Sequence, residues 1–158
     1  MIRLDLCHDM ACDAETYWSC VLDDIYGRAL FVETLKFTRY DATNRDLVRH
    51  VTRLVHAEPP PDGVPAILRS KLAYVEEGDL DRTRSLYTFH TVNKQVPTMQ
   101  VRGCMHVQQI GPKRCRRTTE IHIDVKLLGL GGFVEDRLAR DLRRSYDVSA
   151  EFTDRWVG

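Results

Sequence analysis

Ile2, Leu4 and Leu6 alternate with Arg3, Asp5 and Cys7, a period of two that gives a strand one apolar face. His8 falls in phase with that face. Asp13 then stands where a helix N-cap belongs, ahead of AETYWSCVLDD, and Glu15 occupies the first turn, where the helix dipole favours an acid. Trp18, Val21 and Leu22 share a face at helical spacing, Gly27 interrupts, and RALFVETL reads as a second short helix.

From Lys36 to Lys126 the texture is that of strands. Phe37 to Asp41 and Leu47 to Val55 alternate, with Asp41-Ala-Thr-Asn44 as the expected hairpin turn. Glu58-Pro-Pro-Pro-Asp-Gly-Val-Pro65 reads as a loop, because each proline lacks a backbone donor, and AILRS gives one helical turn after it. Lys71 to Glu77 and Thr83 to Val92 form a second expected hairpin around Gly78-Asp79. Met99 to Ile110 and Arg114 to Leu128 form the longest, turning at Gly111-Pro112.

The final segment is helical. Val134, Leu138, Leu142, Tyr146, Ser149, Phe152 or Thr153, and Trp156 recur every three or four residues, an apolar stripe over roughly seven turns. Leu138 and Leu142, at its centre, are expected to be buried against the sheet. On the outer face Asp136 with Arg140, Arg137 with Asp141, Arg143 with Asp147 and Glu151 with Arg155 lie four apart. The order β-α-α-β6-α predicts an α+β fold, a seven-stranded antiparallel sheet curled around a long C-terminal helix. No linker or repeat divides residues 1–158, so one domain is expected.

Composition narrows the function. Hydrophobic residues make up 43% of the chain, which fits a globular core and neither a disordered chain nor a membrane-embedded one. The apolar runs are too short for a membrane span, and the acid-bearing N-terminus is unlike a secretory signal. Twenty-three basic and 23 acidic residues cancel, so bulk charge recommends neither nucleic acid nor an anionic membrane as a partner. Five cysteines without a CxxC pair suggest free thiols and a cytoplasmic location. No histidine or cysteine spacing suggests zinc.

Two stretches carry a family resemblance. DAETYWSCVLDDIYGRALFVETLKF near the start and HIDVKLLGLGGFVEDRLARDL with EFTDRW at the end, in this element order, resemble the START-like (SRPBCC, helix-grip) superfamily. More narrowly, they are similar to a bacterial START-like family of unknown function, over essentially the whole chain. The superfamily includes lipid-transfer domains, polyketide cyclases and birch-pollen allergen relatives. The resemblance implies a cavity between sheet and long helix that holds an apolar ligand. It implies no reaction.

Gly129, Gly131 and Gly132 match neither GxGxxG nor a P-loop, and Glu135 and Asp136 would repel a phosphate at the helix start. They read as the corner where strand gives way to helix. The expected cavity lining is Leu6, His8, Trp18, Tyr74, Tyr87, Phe89, Met105, Val107, Ile121, Ile123, Leu138, Leu142 and Tyr146. Few ionisable groups fall in phase with these positions, so the space is expected to be apolar and poor in acid–base pairs. Lys113, Arg114, Arg116 and Arg117 read as a solvated basic turn. The sequence thus points to non-catalytic binding of a hydrophobic or lipid-like small molecule, with no cofactor and no metal. Two alternatives stand beside it. One is a polyketide cyclase/dehydratase-like enzyme using His8 and Tyr146. The other is an interaction module using the basic hairpin or the proline loop, for which the sequence names no protein partner.

Overall fold

A computed structural model describes residues 1–158. The seven strands are β1 (Ile2–Met10), β2 (Arg39–Leu47), β3 (His50–Glu58), β4 (Tyr74–Asp81), β5 (Leu86–Val92), β6 (Met99–Gly111) and β7 (Arg114–Val125). They form one antiparallel sheet in the order β1-β7-β6-β5-β4-β3-β2. β1 and β2 therefore lie at opposite edges, and the chain crosses the sheet between them through two short helices. The first, α1 (Ala14–Val21), is capped by Asp13, whose carboxylate accepts from the Thr16 N–H at 2.7 Å. The second, α2 (Asp24–Gly27), runs on as π-helical turns over Arg28–Thr34. The single turn α3 (Ala66–Arg69) follows the proline-rich loop, and α4 (Gly131–Val157) closes the fold.

Two hairpins turn later than the sequence pattern suggests. The β2–β3 turn falls at Val48-Arg49, with Val48 at φ 68°, and Asp41 to Asn44 lie inside β2. As an edge strand that is mostly exposed, β2 tolerates such polar residues. The β4–β5 turn falls at Arg82–Ser85, not at Gly78-Asp79. Gly78 is a strand residue because the Tyr87 side chain crosses it. A Cβ there would stand 2.0 Å from the Tyr87 hydroxyl.

The inner face of the sheet carries the core. Leu4, Leu6, Val101, Met105, Ile121 and Ile123 pack with Trp18 of α1 and with Val134 and Ala150 of α4. Burial of side chains this size stabilises by ~1.5–3 kcal/mol each relative to exposure. The glycine cluster is the corner the sequence implies. Gly129 takes φ +74°, and Gly131 passes so close to β7 that a Cβ would meet the Val125 carbonyl at 2.6 Å. On the outside of α4, Arg137–Asp141 closes at 2.9 Å, but Asp147 turns to His8 instead of Arg143. Arg137 also donates to the carbonyls of Asp62 and Gly63, both at 2.6 Å, which ties the proline-rich loop to the helix. No helix is long and apolar enough to cross a membrane.

Candidate ligand site between sheet and closing helix

Helix α4 rests on β1 and β7, at one side of the sheet. Its stripe is sealed where it meets them, at Val134, Ala150 and Thr153. Leu138 and Leu142, expected to be buried, are only half-buried, as is Tyr146. These three side chains pack against the core yet keep part of their surface accessible.

The residues expected to line a cavity all belong to this inner side, but they divide by packing. Val107, Ile121 and Ile123 are at most 1% exposed and belong to solid core. Leu6, Trp18, Tyr87, Phe89 and Met105 are buried around them, and Trp18 donates to the Ser85 hydroxyl at 2.8 Å. His8, Tyr74, Leu138, Leu142 and Tyr146 keep accessible surface. An inward side chain that keeps such surface borders space that protein atoms do not fill.

That space is not as apolar as the sequence pattern suggests. Register places Tyr74, Glu76, Gly78 and Leu80 of β4 on the inner face, opposite Ala57, Val55, Arg53 and Val51 of β3. The Tyr87 hydroxyl donates to Glu76 Oε2 at 2.7 Å. Burial raises the Glu76 pKa, against the opposing effects of that hydrogen bond and the nearby Arg53 charge. Tyr74 and Tyr146 are pushed up as well, chiefly by burial and then by the charge of Glu76. All three therefore lie within electrostatic reach of one another.

Arg53 is held from two sides. Its guanidinium donates to the Val21 carbonyl at the end of α1 and to the Tyr40 hydroxyl, the latter at 2.6 Å. Tyr40 is itself fixed by the π-helical segment, where the Phe31 ring stacks on it at 4.0 Å and 7°. Glu76 and Arg53 lie in strands the sequence predicts, in phase with Tyr74 and with Val51 and Val55, so period-two alternation was the available signal; the expected lining follows apolar and aromatic positions and passes over both.

Arg117 is a second correction. It is 2% exposed, not part of a solvated turn. It donates to the Tyr17 hydroxyl at 2.9 Å, the Ser149 hydroxyl at 3.0 Å and the Tyr146 carbonyl at 2.8 Å. Its period-two phase with Cys115, Thr119 and Ile121 was the available signal. His8 is its cross-strand partner. The His8 Nε2 bonds to Asp147 at 2.7 Å and serves as donor there if the carboxylate is ionised, leaving Nδ1 buried without a partner. The other five histidines point to the convex face. There His50, His90 and His122 pair with Asp79, Glu77 and Glu120 around a polar depression of about 570 Å³. That depression lies on the outside, away from the inner polar groups. No group of three or more His, Cys, Asp or Glu side chains is placed to hold a metal. All five cysteines are free thiols.

A seven-stranded antiparallel sheet curled around a long C-terminal helix, with polar groups on its inner face, is the helix-grip arrangement. Within that class, residues 5–157 match the family described as Protein of unknown function (DUF2505), and the chain belongs to it. No curated protein matches the sequence. Among solved structures, the chain is similar to the ZhuI aromatase/cyclase from Streptomyces sp. R1128, with a TM-score of 0.71 and 12% identity over 96% of this chain and 90% of that one. It is also similar to BexL, a di-domain aromatase/cyclase of the BE-7585A biosynthetic pathway, with a TM-score of 0.69 and 11% identity. There it covers 98% of this chain and 47% of that one. Norcoclaurine synthase from Thalictrum flavum gives 0.62 and 13%, over 99% and 87%. At such identities the likeness is one of fold.

Proposed function

We propose that this protein binds a predominantly apolar small molecule between the inner face of the sheet and α4, without chemistry on it. One observation carries the reading: Leu138, Leu142 and Tyr146 of the closing helix, with Tyr74 opposite, point inward yet remain half-buried. Removing apolar area from water there contributes roughly 25 cal/mol per Å² before ordering costs. The likeness in fold to aromatase/cyclases and to norcoclaurine synthase, one structure of which holds dopamine and hydroxybenzaldehyde, supports a small-molecule reading. Free thiols fit a reducing, cytoplasmic setting. Native mass spectrometry of protein purified from its own source, together with titration by an environment-sensitive apolar dye, tests the reading. Retained ligand or saturable dye binding that weakens in Leu142→Trp supports it; neither signal in the folded protein would sink it.

A cyclase- or dehydratase-like enzyme is the second reading, favoured by one feature. A carboxyl whose pKa is raised by burial, hydrogen-bonded to a tyrosine in a largely apolar interior, is a fit general acid or base. On this reading Glu76 carries the chemistry in place of His8, whose ring is engaged by Asp147. Turnover of a polyketide-like substrate that disappears in Glu76→Gln would decide for it.

A further inference from the structure

Resting on the binding reading above, we infer that the site selects an apolar molecule bearing a neutral hydroxyl group, read by Glu76, Tyr74 and Tyr146. Glu76 Oε2 is taken by Tyr87, but Oε1 has no protein partner. Neither the Tyr74 nor the Tyr146 hydroxyl has one either, and none of these three atoms is sealed from solvent-sized probes, unlike the orphaned buried atoms of His8, Arg117 and Thr119. One acceptor and two hydroxyls, each able to donate or accept, thus lie on the inner side within electrostatic reach of one another, beside the half-buried Leu138 and Leu142. A polar group left unmet there costs free energy, so the occupant that satisfies them is favoured.

Charge decides which polar group fits. Arg53 and Arg117, at 7% and 2% exposure, face the same interior, and every hydrogen-bond partner of either guanidinium is neutral. An ammonium would add a third positive charge to two that no carboxylate pairs. A carboxylate is attracted by both guanidiniums, but it has no proton to give the free Glu76 oxygen, and ionised Glu76 repels it. A hydroxyl avoids both conflicts, because it donates to Glu76 Oε1 and accepts from a phenol. It also tolerates either protonation state of Glu76, since a neutral carboxyl can accept at its carbonyl oxygen or donate to the same hydroxyl.

The test is competitive displacement of an apolar dye by four probes of one chain length: 1-decanol, decyl methyl ether, decylammonium and decanoate. In the wild-type protein 1-decanol is expected to bind about tenfold more tightly than the ether, the worth of one or two satisfied hydrogen bonds. In Tyr146→Phe and Glu76→Leu, which remove the polar atoms, that ratio is expected to shrink towards one while ether affinity holds, which shows that the apolar walls are intact. Equal binding of decanol and ether, or tightest binding by decylammonium or decanoate, overturns the inference and leaves the pocket standing. Dye binding without displacement by any probe also overturns it for this ligand class. Absence of dye binding removes the pocket reading itself, and the inference with it.

Discussion

The guanidinium carbon of Arg117 lies 5.0 Å from the centre of the Tyr146 ring, and the same group donates to the Tyr146 carbonyl at 2.8 Å. One strand residue thus holds the closing helix by side chain and backbone at once. A planar fork meets this geometry; a lysine ammonium cannot reach three acceptors in separate directions while stacking. Arg117→Lys is therefore expected to lower stability by about 2–3 kcal/mol, from hydrogen bonds lost to a charged group. Urea denaturation measures this, and a loss below about 0.5 kcal/mol would show that the contacts carry little energy.

Packing predicts a contrast between two core substitutions. Ile121 is fully buried, so Ile121→Ala is expected to cost about 2–5 kcal/mol. Leu142 is only half-buried, and Leu142→Ala is expected to cost about 1 kcal/mol or less. Equal losses in parallel denaturation curves would mean that the helix packs home in solution.

Glu76 gives the chain a pH dependence of known sign. Its folded pKa is raised from the usual 4.5, so between that value and the folded one the native state holds more proton than the unfolded chain. Stability from this group is present below pH 4.5 and is lost as pH rises through the folded pKa. Glu76→Gln removes the dependence. The difference between wild type and variant in urea midpoint should grow in favour of the variant as pH is raised from about 4.5. A difference that is flat with pH would place the carboxyl in water.

Thiol reactivity should follow burial. Cys7 is exposed and Cys104 intermediate, whereas Cys12, Cys20 and Cys115 are buried. Burial pushes the Cys12 thiol up to about 12, which suppresses the thiolate. Native protein with a thiol reagent should show Cys7 reacting first, and denatured protein all five. Rapid modification of Cys12 in the native state would contradict the packing of α1 on β7.

The outline of this fold was legible because its longest elements follow simple periods. β7 alternates over Arg114–Val125, and α4 repeats every three or four residues over Gly131–Val157. The hairpins between were misplaced where turn chemistry and tertiary need diverge. Val48 turns the chain at positive φ although a β-branched residue resists it, and Gly78 marks no turn because it makes room for Tyr87. Glu76 and Arg53 alternate in phase with inward residues, but the partners that hold a charged side chain on an inner face are tertiary and leave no local signal. Eight of the thirteen expected lining residues are buried in the core for a different reason. Periodicity assigns a side chain to a face but not how far the opposite element stands from it, which depends on where α4 lies across the sheet.

The placement of β1 beside β7 has a consequence for how the chain is made. β1 precedes the other six strands in the chain, yet its pairing partner is Arg114–Val125, with Leu4 opposite Ile121 and Ile2 opposite Ile123. Until more than two thirds of the chain has emerged, the row Ile2, Leu4 and Leu6 has no strand to join. Closing so large a loop is slow, because its entropy is lost before the contacts form. Through that interval an apolar strand edge is open to other chains. In pulsed hydrogen exchange during refolding, the β1 amides are expected to gain protection after those of the β5–β6 hairpin, so the strand that precedes all the others would be among the last to be seated.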